Sequence, residues 1–162
     1  MTKTLMQWAL ALTLSTSVVA QGVVMQRNIS LPMAKAMAEA TLAACKAKGF
    51  NTAAAVVDRA GQVLVLMRDE QATPQVLEMA RRKAYTSRMF RVPSSEFQKR
   101  TADATAGNAA QRDLDDILAL SGGMPIRVGD DTIGAVGSAG SNLEQDEACA
   151  KAGIDHVAHL LK

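Results

Sequence analysis

Two histidines near the C-terminus are the residue types best suited to bind a metal ion or a haem iron. His156 and His159 are the only histidines in the chain, and a three-residue spacing places them about 60° apart on a helix. Both imidazoles could therefore serve one metal or one haem. The alternative is a polar rim on a surface helix, because histidine also favours helix C-termini through the macrodipole. No carboxylate or thiol stands at a spacing that completes a zinc site with them.

The glycines of the C-terminal third are a second candidate site. The segment Thr132-Ile-Gly-Ala-Val-Gly-Ser-Ala-Gly140 is an apolar strand that ends in glycines, and a helix with an acidic first turn follows it. A strand end of this kind leaves backbone exposed and allows close approach. With the amides that open the helix, it could form a ligand cradle. The simpler interpretation is a twisted strand followed by a helix entry.

One predicted helix carries the densest group of basic residues, which comprises Arg81, Arg82, Lys83, Arg88 and Arg91. Such a group is usually a solvated helix face. Lys83 differs from the others because it lies about one turn from Ala80 and Ala84, towards the apolar side of the helix.

The chain carries no catalytic signature. No G-x-S-x-G, H-E-x-x-H, paired C-x-x-C or Walker sequence occurs in it. This absence argues weakly against an enzyme, since an active site can assemble from distant residues. Whether the protein catalyses a reaction is left open.

The first twenty residues are typical of a secretory signal peptide. Lys3 gives a positive start, Leu5 to Leu14 is mostly apolar, and Val18-Val19-Ala20 precedes Gln21 as a small-residue cleavage site. An uncleaved anchor or a buried helix are the alternatives, but the apolar run is shorter than the ~20 residues of a membrane span. We expect residues 1–20 to be removed and residues 21–162 to form a single periplasmic or secreted domain, with no integral membrane segment.

Composition excludes nucleic acid as a partner. The formal net charge of the chain is only +2, and aromatic residues make up 3% of it. The protein therefore has neither a strong positive field nor a stacking platform for bases.

The periodicity of the first half predicts a helix, a hairpin and two more helices. Ser30 is a candidate N-cap, and Gly49 ends the first helix. Apolar runs at 52–57 and 63–67 flank a turn and predict a hairpin whose strands are covered on both faces. Thr73-Pro74 resembles an N-cap followed by proline at the first helical position, and that helix reaches Phe90.

The second half predicts three strands and a final helix. After an irregular segment at 101–113, the strands are expected at 117–120, 124–128 and 131–136. Ser141 and Glu144 match the S-x-x-E capping box of the last helix. Adjacent strands with short turns imply an antiparallel sheet with helices packed on it, an α/β protein of the α+β type.

The order of these motifs resembles the GlcG/HbpS family, also called the haem-degrading or DUF336 family. The resemblance spans roughly 31–161 and rests on four segments: Ala54-Ala-Val-Val-Asp-Arg-Ala-Gly-Gln62, Arg82-Lys-Ala-Tyr-Thr86, Ser121-Gly-Gly-Met-Pro-Ile126 and the glycine-rich strand. It implies a profilin-like, five-stranded antiparallel sheet sandwiched by helices. It also implies a homo-oligomer that binds haem or a related tetrapyrrole.

The resemblance leaves three functions open. They are an exported haem or tetrapyrrole binder, an accessory module that binds a small organic metabolite of a periplasmic catabolic pathway, and an enzyme acting on such a metabolite. The loop Met67-Arg-Asp-Glu-Gln-Ala72 departs from the family's usual segment after the second strand and has no histidine near it. This departure weakens the transfer of the family's histidine-ligated haem site to this chain.

The resemblance also implies a ligand pocket around Lys83, which matches the lysine of the family's K-A-Y-T-A motif and could bind a carboxylate such as a haem propionate. In the predicted pocket, cationic and hydroxyl side chains face a glycine turn and a glycine-rich strand end. These residues are Arg68, Lys83, Tyr85, Thr86, Gly122, Gly123, Gly137 and Gly140.

The two cysteines, Cys45 and Cys149, are predicted to form a disulfide. Each lies on or near the apolar side of its helix, and in the family's fold the first and last helices can lie on one face of the sheet. The oxidising periplasm would preserve the bond.

Overall fold

Helices cover a twisted antiparallel sheet in a computed structural model that describes residues 22–162. The helices are α1 (Leu31–Lys46), α2 (Gln75–Phe90), α3 (Ser94–Arg100) and α4 (Leu143–His156). The strands are β1 (Ala53–Val57), β2 (Val63–Arg68), β3 (Gly123–Val128) and β4 (Asp131–Ala139). Short 3-10 helices lie at Ala109–Asp113 and Ala158–Leu160.

The sheet is built from two hairpins whose first and last strands meet at its centre. The strand order is β2-β1-β4-β3, and every neighbouring pair is antiparallel. Ala55 of β1 and Gly123 of β3 both lie opposite Gly137 of β4, one on each side. The α+β class and the antiparallel sheet predicted from the sequence are confirmed.

The predicted fifth strand at 117–120 does not form, so the sheet described here has four strands. Side chains of α2 and α3 take the hydrogen bonds that a neighbouring strand would have provided. The Arg82 guanidinium donates to the carbonyl of Ile117 at 2.6 Å, and the amide of Leu118 donates to Thr86 Oγ1 at 2.8 Å. Ser94 Oγ donates to the carbonyl of Leu120 at 2.7 Å.

Alternating residues of β1 supply two cores, one on each side of the sheet. Ala54 and Val56 pack in the cluster that includes α1 and α4, whereas Ala53, Ala55 and Val57 pack in the cluster that includes α2. β1 is buried throughout, as its continuous apolar run predicted. The same prediction is wrong for β2, because it is an edge strand with Val63 and Leu66 more than 40% exposed.

The helix starts were predicted with mixed success. Ser30 caps α1 by accepting a hydrogen bond from the amide of Met33, as predicted. The predicted capping box of Ser141 and Glu144 is wrong. Asn142 caps α4 instead, because its side chain accepts a hydrogen bond from the amide of Gln145 at 2.8 Å. No side chain caps α2, which begins at Gln75 after Pro74.

The predicted disulfide between Cys45 and Cys149 is formed. It joins α1 to α4 across a sequence separation of 104 residues, with a Cα–Cα distance of 5.5 Å and both side chains buried. The two helices also touch at Gly153, where an added Cβ would lie 2.1 Å from Thr41 Oγ1. The helices therefore form one layer that is held together covalently.

Within residues 22–162, every helix is too short or too polar to cross a membrane. The predicted signal peptide lies outside the described residues.

Candidate functional site

Lys83 lies in the core of the protein, although it is one of the longest charged side chains. Its position on α2 places it beneath the β4 end, with a fully buried side chain. Nζ donates to Asp146 Oδ2 at 2.7 Å and to the carbonyl of Ser138 at 3.2 Å. The pair is therefore the kind of compensated buried charge that interiors tolerate.

Asp146 holds the other half of this ion pair from the first turn of α4. Its side chain is almost fully buried, and its second oxygen accepts from both the amide and the hydroxyl of Ser141. Asp146 thus joins α2, the end of β4 and the start of α4. The sequence carries no signal that singles out Asp146, because an acidic first turn is usually explained by the helix dipole alone.

Two of the predicted site glycines, Gly123 and Gly137, pack against the backbone of α2, and Gly122 packs against the Ser138 carbonyl and the side chains of Asp146 and Lys83. An added Cβ would lie 2.1 Å from the Lys83 carbonyl at Gly123, and 2.1 Å from the Ala80 carbonyl at Gly137. At Gly122, whose φ is +125°, it would lie 3.0 Å from Lys83 Cδ. The structure brings Lys83 and these glycines together, but as close helix–sheet packing.

The remaining predicted residues lie elsewhere. Thr86 Oγ1 donates to the Arg82 carbonyl, and the Tyr85 ring packs over the hairpin turn at Gly61. Arg68 lies on the edge strand and donates to carbonyls of its own loop, including that of Ala72. Gly140 packs against the backbone just before β1, since an added Cβ there would lie 2.8 Å from the Asn51 carbonyl. Their role in ligand binding stays a prediction, and the structure does not gather them around one cavity.

An open cleft between α1 and α4 contains one of the two histidines. It has a volume of about 570 Å³ and is lined by Ala36, Glu39, Ala40, Ala43, Ala152 and His156. Four of the six lining residues are alanines, and the other two, Glu39 and His156, are exposed. His159 follows in the last 3-10 helix, also exposed and outside the cleft lining.

The cleft offers a single histidine donor. Among residues 22–162, no group of three or more histidine, cysteine, aspartate or glutamate side chains could hold a metal ion. One exposed imidazole could serve as the single axial ligand of a metal that a cofactor brings with it. It does not suit a free zinc ion, which needs three or four protein ligands.

Comparisons with known proteins agree with this architecture. The sequence model of the family described as "Haem degrading protein HbpS-like" matches residues 29–155. The chain belongs to this family. It is also 30% identical over 138 residues to an uncharacterized 15.0 kDa protein in the dhaT-dhaS intergenic region of Citrobacter freundii, covering 82% of this chain and 94% of that relative.

Several solved structures are similar in fold, and two of them are informative here. A double mutant of HbpS from Streptomyces reticuli superposes with a TM-score of 0.77 at 33% identity, covering 87% of this chain and 96% of HbpS. The structure of a PduOC:heme complex has a TM-score of 0.71 at 20% identity, covering 79% of this chain and 94% of PduOC. The latter likeness concerns the fold alone.

Proposed function

We propose that the protein is an exported small-molecule-binding protein whose ligand is haem or a related tetrapyrrole. The observation that carries this proposal is membership of the HbpS-like family, whose description refers to haem. A second support is that a protein of the same fold, PduOC, has been crystallised with heme. Export is supported by the signal-peptide pattern of residues 1–20.

We place the proposed haem site in the cleft between α1 and α4. Its four alanines offer a largely apolar surface for a macrocycle, and His156 provides an imidazole, a common axial ligand of haem iron. The region around Lys83 suits haem less well, because its ammonium group is already paired with Asp146 and has no exposure to solvent. We therefore propose His156 as the axial ligand.

Replacement of His156 by alanine is expected to weaken hemin binding by roughly 100-fold, since even outer-shell partners of metal ligands contribute 10–100-fold. The measurement is a titration with hemin followed by the Soret absorbance. The same substitution should remove the spectral signature of imidazole ligation from any hemin that still binds.

His159→Ala is the matched control, because this histidine is equally exposed and only three residues away. It should leave both the affinity and the spectrum unchanged. Equal affinities for hemin in the wild-type protein and the His156→Ala variant would show that the haem site does not lie at His156 on α4. Absence of a Soret shift in the wild-type protein would contradict haem binding itself.

We also propose that the protein forms a homo-oligomer. The edge strand β2 exposes Val63 and Leu66, and the N-terminal segment exposes Val23, Val24 and Met25 by 74–91%. An open apolar strand edge is a surface that proteins usually cover. Light scattering at micromolar concentration should therefore give a multiple of the single-chain mass, and a monomer mass would contradict the proposal.

A further inference from the structure

A second cleft, at the end of α2, is rich in arginine. It has a volume of about 430 Å³ and is lined by Gln26, Asn28, Arg59, Ala60, Arg88 and Arg91. Three parts of the chain meet here: the segment before α1, the turn between β1 and β2, and the C-terminal end of α2. We refer to it below as the arginine cleft.

The carboxylates near the arginine cleft do not balance its three guanidinium groups. Arg59 Nη1 donates to Asp131 Oδ2 at 2.7 Å. Asp58 is also close, but one of its oxygens accepts the amides of Ala60 and Gln62 within the turn. Among residues 22–162, neither Arg88 nor Arg91 forms an ion pair.

Arg88 has an unmet hydrogen-bonding requirement. Its Nε is buried and has no partner within the described part of the chain. Burial lowers the pKa of the Arg88 guanidinium from its usual value, and the charges of Arg91 and Arg59 lower it further, against the smaller opposing effects of Asp131 and Asp58. A guanidinium that is partly desolvated beside two others is unfavourable unless an anion compensates for it.

The other basic residues of α2 show that this arrangement is local. Arg81 pairs with Glu78 and Asp116, Arg82 donates to the Ile117 carbonyl, and Lys83 pairs with Asp146. Each of these three side chains has at least one partner within the protein, although Arg82 Nε is also buried without one in the described part of the chain. Arg88 and Arg91, at the C-terminal end of the helix, both line the arginine cleft.

We propose that the arginine cleft binds a small dianion bearing carboxylate or phosphate groups, held by Arg88 and Arg91 with Arg59 at the rim. Guanidinium groups present paired donors whose spacing matches the oxygens of both groups. The Asn28 carboxamide stands at the same cleft, although its Oδ1 already accepts the amides of Ile29 and Arg59.

This site is distinct from the one proposed for haem. α2 packs on one face of the sheet, whereas α1 and α4 pack on the other. The proposal that the arginine cleft binds an anion therefore does not depend on the proposal that the protein binds haem. It would also suit the alternative function, a binder of a small organic acid.

The test is calorimetric titration of the purified protein with succinate and, separately, with inorganic phosphate at low ionic strength. At least one of the two anions should bind, and the better one identifies the type of group. Arg88→Gln and Arg91→Gln should each weaken that binding by about tenfold, because each removes a charge-assisted hydrogen bond. Arg100→Gln, which replaces an exposed arginine of α3, should not change it.

Three results would overturn the proposal: no binding of either anion to the wild-type protein, an unchanged dissociation constant in both cleft variants, or an equal loss in Arg100→Gln. If Arg88→Gln does not fold, the exposed Arg91 carries the test alone. Hemin affinity should be the same in the cleft variants as in the wild-type protein. A parallel loss of hemin affinity would show that the arginines belong to the haem site and would overturn the claim of a separate one.

Discussion

Asp146→Ala is expected to destabilise the protein by about 3–5 kcal/mol, the usual cost of leaving one partner of a buried ion pair uncompensated. The Lys83 ammonium would keep only the Ser138 carbonyl as a partner, and Ser141 would lose the acceptor for its amide and hydroxyl. Urea denaturation should show the loss as a lower midpoint with little change in slope.

The matched control lies on the same helix. Lys151 and Asp155 form an ion pair at 2.6 Å, but both side chains are about 60% exposed. Asp155→Ala should therefore cost less than about 1 kcal/mol, as is usual for exposed pairs. Similar losses of stability in the two variants would mean that the buried Lys83–Asp146 pair stabilises the protein no more than an exposed pair does.

A double variant, Lys83→Met with Asp146→Leu, separates the cost of leaving one buried charge unpaired from the contribution of the ion pair itself. Replacing both members of a buried pair by apolar residues is often neutral or stabilising. The double variant should therefore recover most of the stability lost in Asp146→Ala. Incomplete recovery would measure the contribution of the hydrogen bonds from Ser141.

Most of the fold could be predicted from the spacing of apolar residues, because the buried face of each helix or strand sets that spacing. The helices, the first hairpin and the β3–β4 hairpin all lie close to their predicted positions. The segment at 117–120 was misassigned because a short apolar run does not reveal what its backbone bonds to. Here the partners are side chains of α2 and α3, which only the tertiary structure brings near.

The sites were harder to predict than the fold. Lys83 was singled out correctly as an unusual lysine on an apolar face, but its partner is 63 residues away and has no local signature. The glycines were noticed as places of close approach, and the sequence could not show that α2 itself is what approaches. The arginine cleft joins three segments that are separate in sequence, so its composition emerges only in the folded chain.

Removal of the disulfide is the second change with a large expected effect. Replacing both Cys45 and Cys149 by alanine should cost about 2–5 kcal/mol, because the bond restricts a long loop in the unfolded chain. The sequence separation of 104 residues puts the expected loss towards the upper end of that range. Thermal or urea unfolding of the double variant against the oxidised wild-type protein measures it.

The same bond joins the two walls of the cleft that contains His156. Cys45 and Cys149 link α1 to α4, and Ala43 and Ala152 line the cleft close to them in sequence. Loss of the bond should therefore weaken hemin binding at temperatures where the variant is still folded.

The control is the wild-type protein treated with a reductant, which should lose both stability and hemin affinity. Unchanged stability after verified reduction would contradict the prediction. If stability falls but hemin affinity does not, Gly153 and the helix packing around it are enough to set the width of the cleft.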